Sequence, residues 1–355
     1  MANKGWTGNF FEDFELGRRR RCAVPRRLTD GDVSAYIALT GDRTPGYCGG
    51  EPRVHPLITF HLVLGQTVRS ISLNARANLG YADMRWGVPV VVGDTIRTEI
   101  EVVGLKENSS GTTGIAWVRT EALNQRDETV LSYTRWVMVK KRGSEATRWL
   151  EEPVVPTLPK AVAPESLSLA SVEAMPSPEV SGAEWAFEDY EEGERIWHHD
   201  GMTVNPSDHM AFTRLFQNTA KVHFDALLTE GRPLVYGGVP VSVAYAQALN
   251  GLDNRVGIVG LNGGAHANPV HAGDTLYSFT EVVGKARTAD PRVGALRLRM
   301  FAVKNEDPLA IERGGGFHPL EDDPRKPGRQ RHRSSVVLDL DFWELMPTRA
   351  GLTGR

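Results

Sequence analysis

The 355-residue chain carries 41 Lys and Arg against 44 Asp and Glu, a net charge of −3. It is long enough for two ordinary domains and too evenly charged to offer nucleic acid a long-range basic field. Two cysteines, Cys22 and Cys48, make no disulfide framework, the start MANKGWTGNFFEDF lacks the pattern of a signal peptide, and no apolar run approaches the ~20 residues of a membrane span. A soluble cytoplasmic protein with no nucleic-acid or membrane partner is the expectation.

In chain order, the pattern predicts a short helix over Asp32–Leu39, a strongly apolar helix over Leu57–Val68, and β-rich segments over Thr113–Asn124 and Thr129–Lys140. Residues 151–180 hold Pro153, Pro156, Pro159, Pro164, Pro176 and Pro178 and read as an extended surface linker. The same order then returns, with helices over Asp208–Phe216 and Val239–Leu249. A strand follows in which Leu296, Leu298 and Met300 alternate with Arg297 and Arg299. Residues 306–335, rich in Gly, Pro, Arg and Asp, read as a loop before a last strand over Val336–Leu345.

This order repeats because the chain is written twice. Phe11-Glu12-Asp13-Phe14-Glu15-Leu16-Gly17 returns as Phe187-Glu188-Asp189-Tyr190-Glu191-Glu192-Gly193. Pro89-Val90, Gly93-Asp94-Thr95 and Glu101-Val102-Val103-Gly104 return as Pro269-Val270, Gly273-Asp274-Thr275 and Glu281-Val282-Val283-Gly284. Two domains are expected, 1–150 and 181–355, joined by the linker. Their second helices are apolar on nearly every face and must each be enclosed, which one curved antiparallel sheet per helix would do. The class is α+β.

Leu79-Gly80-Tyr81-Ala82-Asp83-Met84-Arg85-Trp86, followed by Pro89-Val90 and Gly93-Asp94-Thr95, resembles the strand-turn-strand signature of the MaoC-like hotdog family in its duplicated form. Gly8–Phe14, Ile71–Ala75, Arg135–Val139, Gln217–Phe224 and Val336–Asp339 are similar to its mesaconyl-CoA hydratase branch, also called β-methylmalyl-CoA dehydratases. The resemblance spans almost the whole chain. It implies a double hotdog, two tandem sheets each wrapped round a central helix, and a hydro-lyase adding water reversibly to an α,β-unsaturated acyl-CoA, with mesaconyl-CoA to β-methylmalyl-CoA foremost. By hotdog habit a homodimer is also expected.

Hydration of a conjugated thioester needs a base for the water, a proton for the α-carbon and donors for the enolate-like oxygen. R-specific hydratases of the family carry Asp and His five residues apart in a Gly-Asp-x-Asn-Pro-x-His pattern. On that pattern Asn218 falls on the aspartate and His223 on the histidine in the second half, whereas Asp42 and Tyr47 occupy these places in the first. Only the second half keeps an imidazole, so His223 is the expected base, with Asn218 holding the water. The first half, with no histidine on the pattern beside Asp42, is expected to be a structural pseudo-site. Leu234-Val235-Tyr236-Gly237-Gly238 precedes the enclosed helix, and by resemblance the oxyanion donors are the Gly238 amide first and Gly237 second.

Other motifs are expected to be structural. Gly93-Asp94-Thr95 and Gly273-Asp274-Thr275 read as turns, His266 and His271 as structural histidines, and Arg18–Arg21 and Arg325–Arg333 as solvated charge. No cysteine–histidine cluster has metal-ligand spacing and no glycine-rich loop fits a dinucleotide, so no cofactor or metal is expected. Rival readings are an R-specific hydratase for another acyl chain, an inert CoA-binding or scaffold hotdog protein, and a hotdog thioesterase. The last is disfavoured because such sites centre on a carboxylate near the enclosed helix, and Val239–Leu249 has none.

Overall fold

The two Phe-Glu-Asp repeats each form a single 3-10 turn, at Phe11–Asp13 and Phe187–Asp189. The aspartate caps its own turn, Asp13 accepting from the Phe10 amide at 2.9 Å and Asp189 from that of Ala186 at 2.8 Å. Each phenylalanine lies where a glycine of the neighbouring sheet leaves room, Phe11 on Gly114 and Phe187 on Gly294. The Gly-Asp-Thr repeats are tight turns, with Asp94 accepting from the Val91 amide and Asp274 from that of His271. Gly93 and Gly273 take φ of 101° and 93°, where a side chain is strained.

The computed structural model describes residues 4–49, 53–143, 150–170 and 172–353. In the first half come β1 (Arg19–Arg21), β2 (Arg26–Arg27), α1 (Asp30–Thr40), α2 (Pro45–Cys48), α3 (Pro56–Ile71), β3 (Ala75–Trp86), β4 (Thr95–Glu107), β5 (Thr113–Leu123) and β6 (Thr129–Lys140). A short α4 (Pro178–Ser181) ends the linker. The second half has β7 (Arg195–Thr203), α5 (Pro206–Leu215), α6 (Gly238–Gln247), β8 (Gly257–His266), β9 (Thr275–Arg287) and β10 (Val293–Lys304). It ends with α7 (Pro308–Gly315), β11 (Leu320–Asp322), β12 (Gln330–His332), β13 (Val336–Pro347) and α8 (Arg349–Thr353).

The halves share one antiparallel eleven-stranded sheet in the order β1-β4-β5-β6-β3-β8-β13-β10-β9-β7, with β2 on β4. The seam is the β3–β8 pair, Tyr81 opposite Gly264 and Arg85 opposite Gly260. The sheet curls round α3 and α6, and every residue of α6 is buried. The chain is therefore a double hotdog whose two helices and two curved half-sheets share one core.

Two expectations change. Residues 306–335 are not a bare loop, because Pro308–Gly315 is helical, capped by Asp307, and Leu320–Asp322 pairs with Gln330–His332. The linker is not wholly superficial. Val162, Leu167 and Val172 are buried against Trp343 and Leu345, and the Val162 carbonyl accepts from the Trp343 indole. Three arginines of the 18–21 run pair with Glu15, Glu101 and Glu99. No helix among the described residues is long and apolar enough to cross a membrane.

Candidate active site

Where the two halves meet, a cavity of about 330 Å³ opens between the C-terminal end of α3 and the N-terminal end of α6. The second half contributes Asn218, His223, Gly237 and His266 to its wall, and the first half contributes Ser72, Asn78, Tyr81 and Arg135. Neither half makes the site alone.

After α5 the chain turns sharply at Gln217, whose φ is 55°. The Asn218 Oδ1 then accepts the Ala220 amide at 3.0 Å, an Asx turn that leads into the Lys221–His223 turn. Asn218 thus fixes the segment that presents His223. Its Nδ2 makes no hydrogen bond among the described residues and is the part of the amide left for a ligand. His223 is buried, with Nδ1 2.8 Å from the Leu234 carbonyl oxygen. That carbonyl only accepts, so Nδ1 carries the proton and Nε2 keeps its lone pair. Burial pushes the imidazole down to about 4, although the Leu234 carbonyl opposes the shift. At neutral pH it is an uncharged base.

Leu234 bridges to His271, and the chain then enters α6 through Gly237 and Gly238. Their amides, at the positive end of the helix, have no partner among the described residues. Gly237 lines the cavity and Gly238 does not, which reverses the order expected for the two donors. A Cβ on Gly237 would lie 2.6 Å from the His266 ring, so glycine is required by packing as well. His266 Nε2 is 3.0 Å from the Tyr81 hydroxyl, and burial pushes this imidazole to about 4. Neutral His266 and Tyr81 therefore form part of the site wall, beyond the structural role expected for that histidine. Lys221 and Arg214 are exposed.

The equivalent place in the other half is closed. Arg53 bridges Val91 as Leu234 bridges His271, which sets Pro56 at the position of Gly237. Proline has no amide hydrogen to offer. Trp86 stands at the position of His266 and donates to the Pro56 carbonyl, and Tyr47 donates to Val256. The strand registers likewise set Leu261 against Tyr81, and Phe342 against Arg135. What remains there is a space of about 50 Å³.

One expectation for this half is corrected, since Asp42 does meet an imidazole. His55 Nε2 is 3.5 Å from its carboxylate. Burial pushes His55 down to about 4, so it stays neutral. Arg255, 3.3 Å away, is the lasting charge partner, and the Thr44 amide and hydroxyl bind the other oxygen. Burial would raise the Asp42 carboxyl, yet these neighbours hold it below its ordinary range. A buried carboxylate also approaches α6, Glu344 accepting from Tyr245 at 2.8 Å, but neither residue lines the cavity.

The arrangement in the open cavity, a neutral buried imidazole, an unpaired amide at a helix start and an unpaired carboxamide nitrogen, suits proton transfer beside a thioester oxygen. A family model for mesaconyl-CoA hydratase matches residues 2–152. The chain is 48% identical to the mesaconyl-CoA hydratase of Cereibacter sphaeroides, covering 96% of this chain and 98% of that protein. It is 41% identical to the β-methylmalyl-CoA dehydratase of Chloroflexus aurantiacus, over 98% and 100% of the two chains. Its fold matches the crystal structure of a MaoC-domain protein of Chloroflexus aurantiacus with a TM-score of 0.87 and 39% identity, over 98% and 99% of the chains. A double-hotdog protein of Mycobacterium tuberculosis matches at 0.72 and 26% identity, over 96% and 99%. With nearly full-length identity of this order, spanning both halves and the linker, the chain belongs to the mesaconyl-CoA hydratase family.

Proposed function

We propose that the protein adds water reversibly to mesaconyl-CoA to give β-methylmalyl-CoA, with His223 as the base. The observation that carries the assignment of His223 is the hydrogen bond of its Nδ1 to the Leu234 carbonyl, which leaves Nε2 unprotonated in the cavity. Water sits between Nε2 and the Asn218 Nδ2. As its oxygen attacks the β-carbon, His223 takes its proton, and the charge moving to the thioester oxygen is met by the Gly237 amide. The imidazolium then returns a proton to the α-carbon, so that one water is added overall.

The test is the ultraviolet absorbance of the conjugated enoyl-thioester on mixing with purified protein. A loss without release of free thiol is the expected result; thiol release marks a thioesterase, and no change marks an inert binder.

Asn218→Asp tests the pairing with His223. A carboxylate beside the imidazole favours its charged form and raises its pKa, by roughly one to three units if the groups lie within ~4–6 Å. Because the neutral ring is the base, the acidic limb of the kcat/KM profile moves up from about 4 by the same amount. Activity falls most at mildly acidic pH and recovers as pH rises. An unmoved limb with undiminished activity would separate the two residues.

A further inference from the structure

We propose that Arg135 is the residue that receives the free carboxylate of the acyl chain and discriminates it from an uncharged ester. The inference rests on the hydratase reading above and concerns the far end of the substrate.

Arg135 lies on β6 directly opposite Tyr81 on β3, so both side chains stand on the same face of the sheet. Tyr81 in turn contacts His266, which packs on Gly237, so the wall runs unbroken from the oxyanion donor to the guanidinium. Arg135 is 1% exposed and lines the cavity. Its Nη2 donates to the hydroxyls of Thr67 and Ser72 at 2.7 and 2.9 Å, and its Nε has no partner. It makes no ion pair among the described residues. The other fully buried arginine among the described residues, Arg255, has Asp42. A guanidinium stays charged in proteins, and burial without a counter-ion is strongly unfavourable.

Two further facts point to a ligand. The amide of Asn78, also in the cavity wall, has both polar atoms buried without a well-formed hydrogen bond. The closed half, which takes no substrate in this reading, holds Phe342 at the position of Arg135 and Ile258 at that of Asn78. At these two positions the polar side chains stand on the open side, whereas the buried charges of the closed half, Asp42 and Arg255, pair with each other. The Nη1 N–H groups, which make no hydrogen bond among the described residues, can donate to a carboxylate, and the ligand's charge supplies the missing counter-ion. The mesaconyl group ends in such a carboxylate.

The rival is a strut that ties β6 to the C-terminal end of α3, whose dipole also favours a cation. Comparing kcat/KM for mesaconyl-CoA with that for its methyl ester, in wild type, Arg135→Met and Arg135→Lys, separates the two. Wild type is expected to prefer the carboxylate by at least ~10²-fold, the scale of leaving a buried charge unpaired. Arg135→Met should lose most of that ratio, chiefly through KM for mesaconyl-CoA, and Arg135→Lys should recover part of it. Arg135→Met should also fold, because it removes an uncompensated buried charge.

A wild-type ratio within ~3 overturns the proposal while leaving the hydratase reading in place. So does an Arg135→Met ratio equal to wild type, or failure of that variant to fold while Arg135→Lys folds. Turnover of neither ester by wild type removes both readings.

Discussion

Replacing His223 with alanine lowers kcat for hydration by at least ~10²-fold, the usual scale for a general base. The ring is the imidazole of the cavity held by a carbonyl at Nδ1, which fixes both its tautomer and its direction. His266, the other imidazole of the wall, has its Nε2 engaged by Tyr81 and cannot take over without breaking that bond. The substitution leaves the Leu234 carbonyl without its donor, a cost of about 1–3 kcal/mol unless water replaces the ring. Thermal melting of the variant therefore needs to accompany the kinetics. KM should change little, since the ring acts on the water. A folded variant that keeps most of the wild-type kcat would remove His223 from the mechanism.

Gly65→Ala is expected to be the most damaging of the small substitutions outside the cavity wall. In the middle of a helix such a change ordinarily stabilises by up to about 1 kcal/mol. Here α3 of the first half packs so closely on the end of α5 that a Cβ on Gly65 would overlap the Phe216 carbonyl oxygen and lie 3.1 Å from the Asn218 amide nitrogen. The obstacle is backbone, which cannot rotate away as a side chain would. Overpacking costs typically about 1–3 kcal/mol and occasionally more, and a backbone obstacle places this site toward the upper end. The strain falls on residues 216–218, directly before the turn that carries His223. Melting temperature and kcat should fall together. Unchanged melting would show that the two helices can separate freely. Lower melting with wild-type kcat would show that the shift stops short of Asn218.

Much of this protein was legible in its sequence. The repeats at residues 11–17 and 187–193 and at the Gly-Asp-Thr turns set the duplicated order, because caps and tight turns depend on residues a few positions apart. Apolar patterning marked α3 and α6 as enclosed. Asn218 and His223, placed by the family pattern, share one short segment, and both line the cavity. Residues 306–335 were read as bare loop because a helix of eight residues and a hairpin of three-residue strands leave too short a period to detect.

The rest depended on contacts between distant segments. His266 and Tyr81 are 185 positions apart, and only the β3–β8 seam joins them. The divergence of the copies, His266 against Trp86, was a signal, but it has meaning only once the cavity is known. Arg135 shares the inward phase of β6 with Tyr133, Val137 and Val139, an odd place for a charge. Sequence spacing cannot distinguish a buried guanidinium paired inside the protein, as Arg255 is with Asp42, from one left facing a cavity. Gly237 and Gly238 are adjacent, and the direction of an amide depends on how the helix start is seated against His266. Local chemistry determined the segments and their order; the closure of one sheet over two helices decided which side chains share a cavity, because burial and charge pairing are properties of neighbours in space.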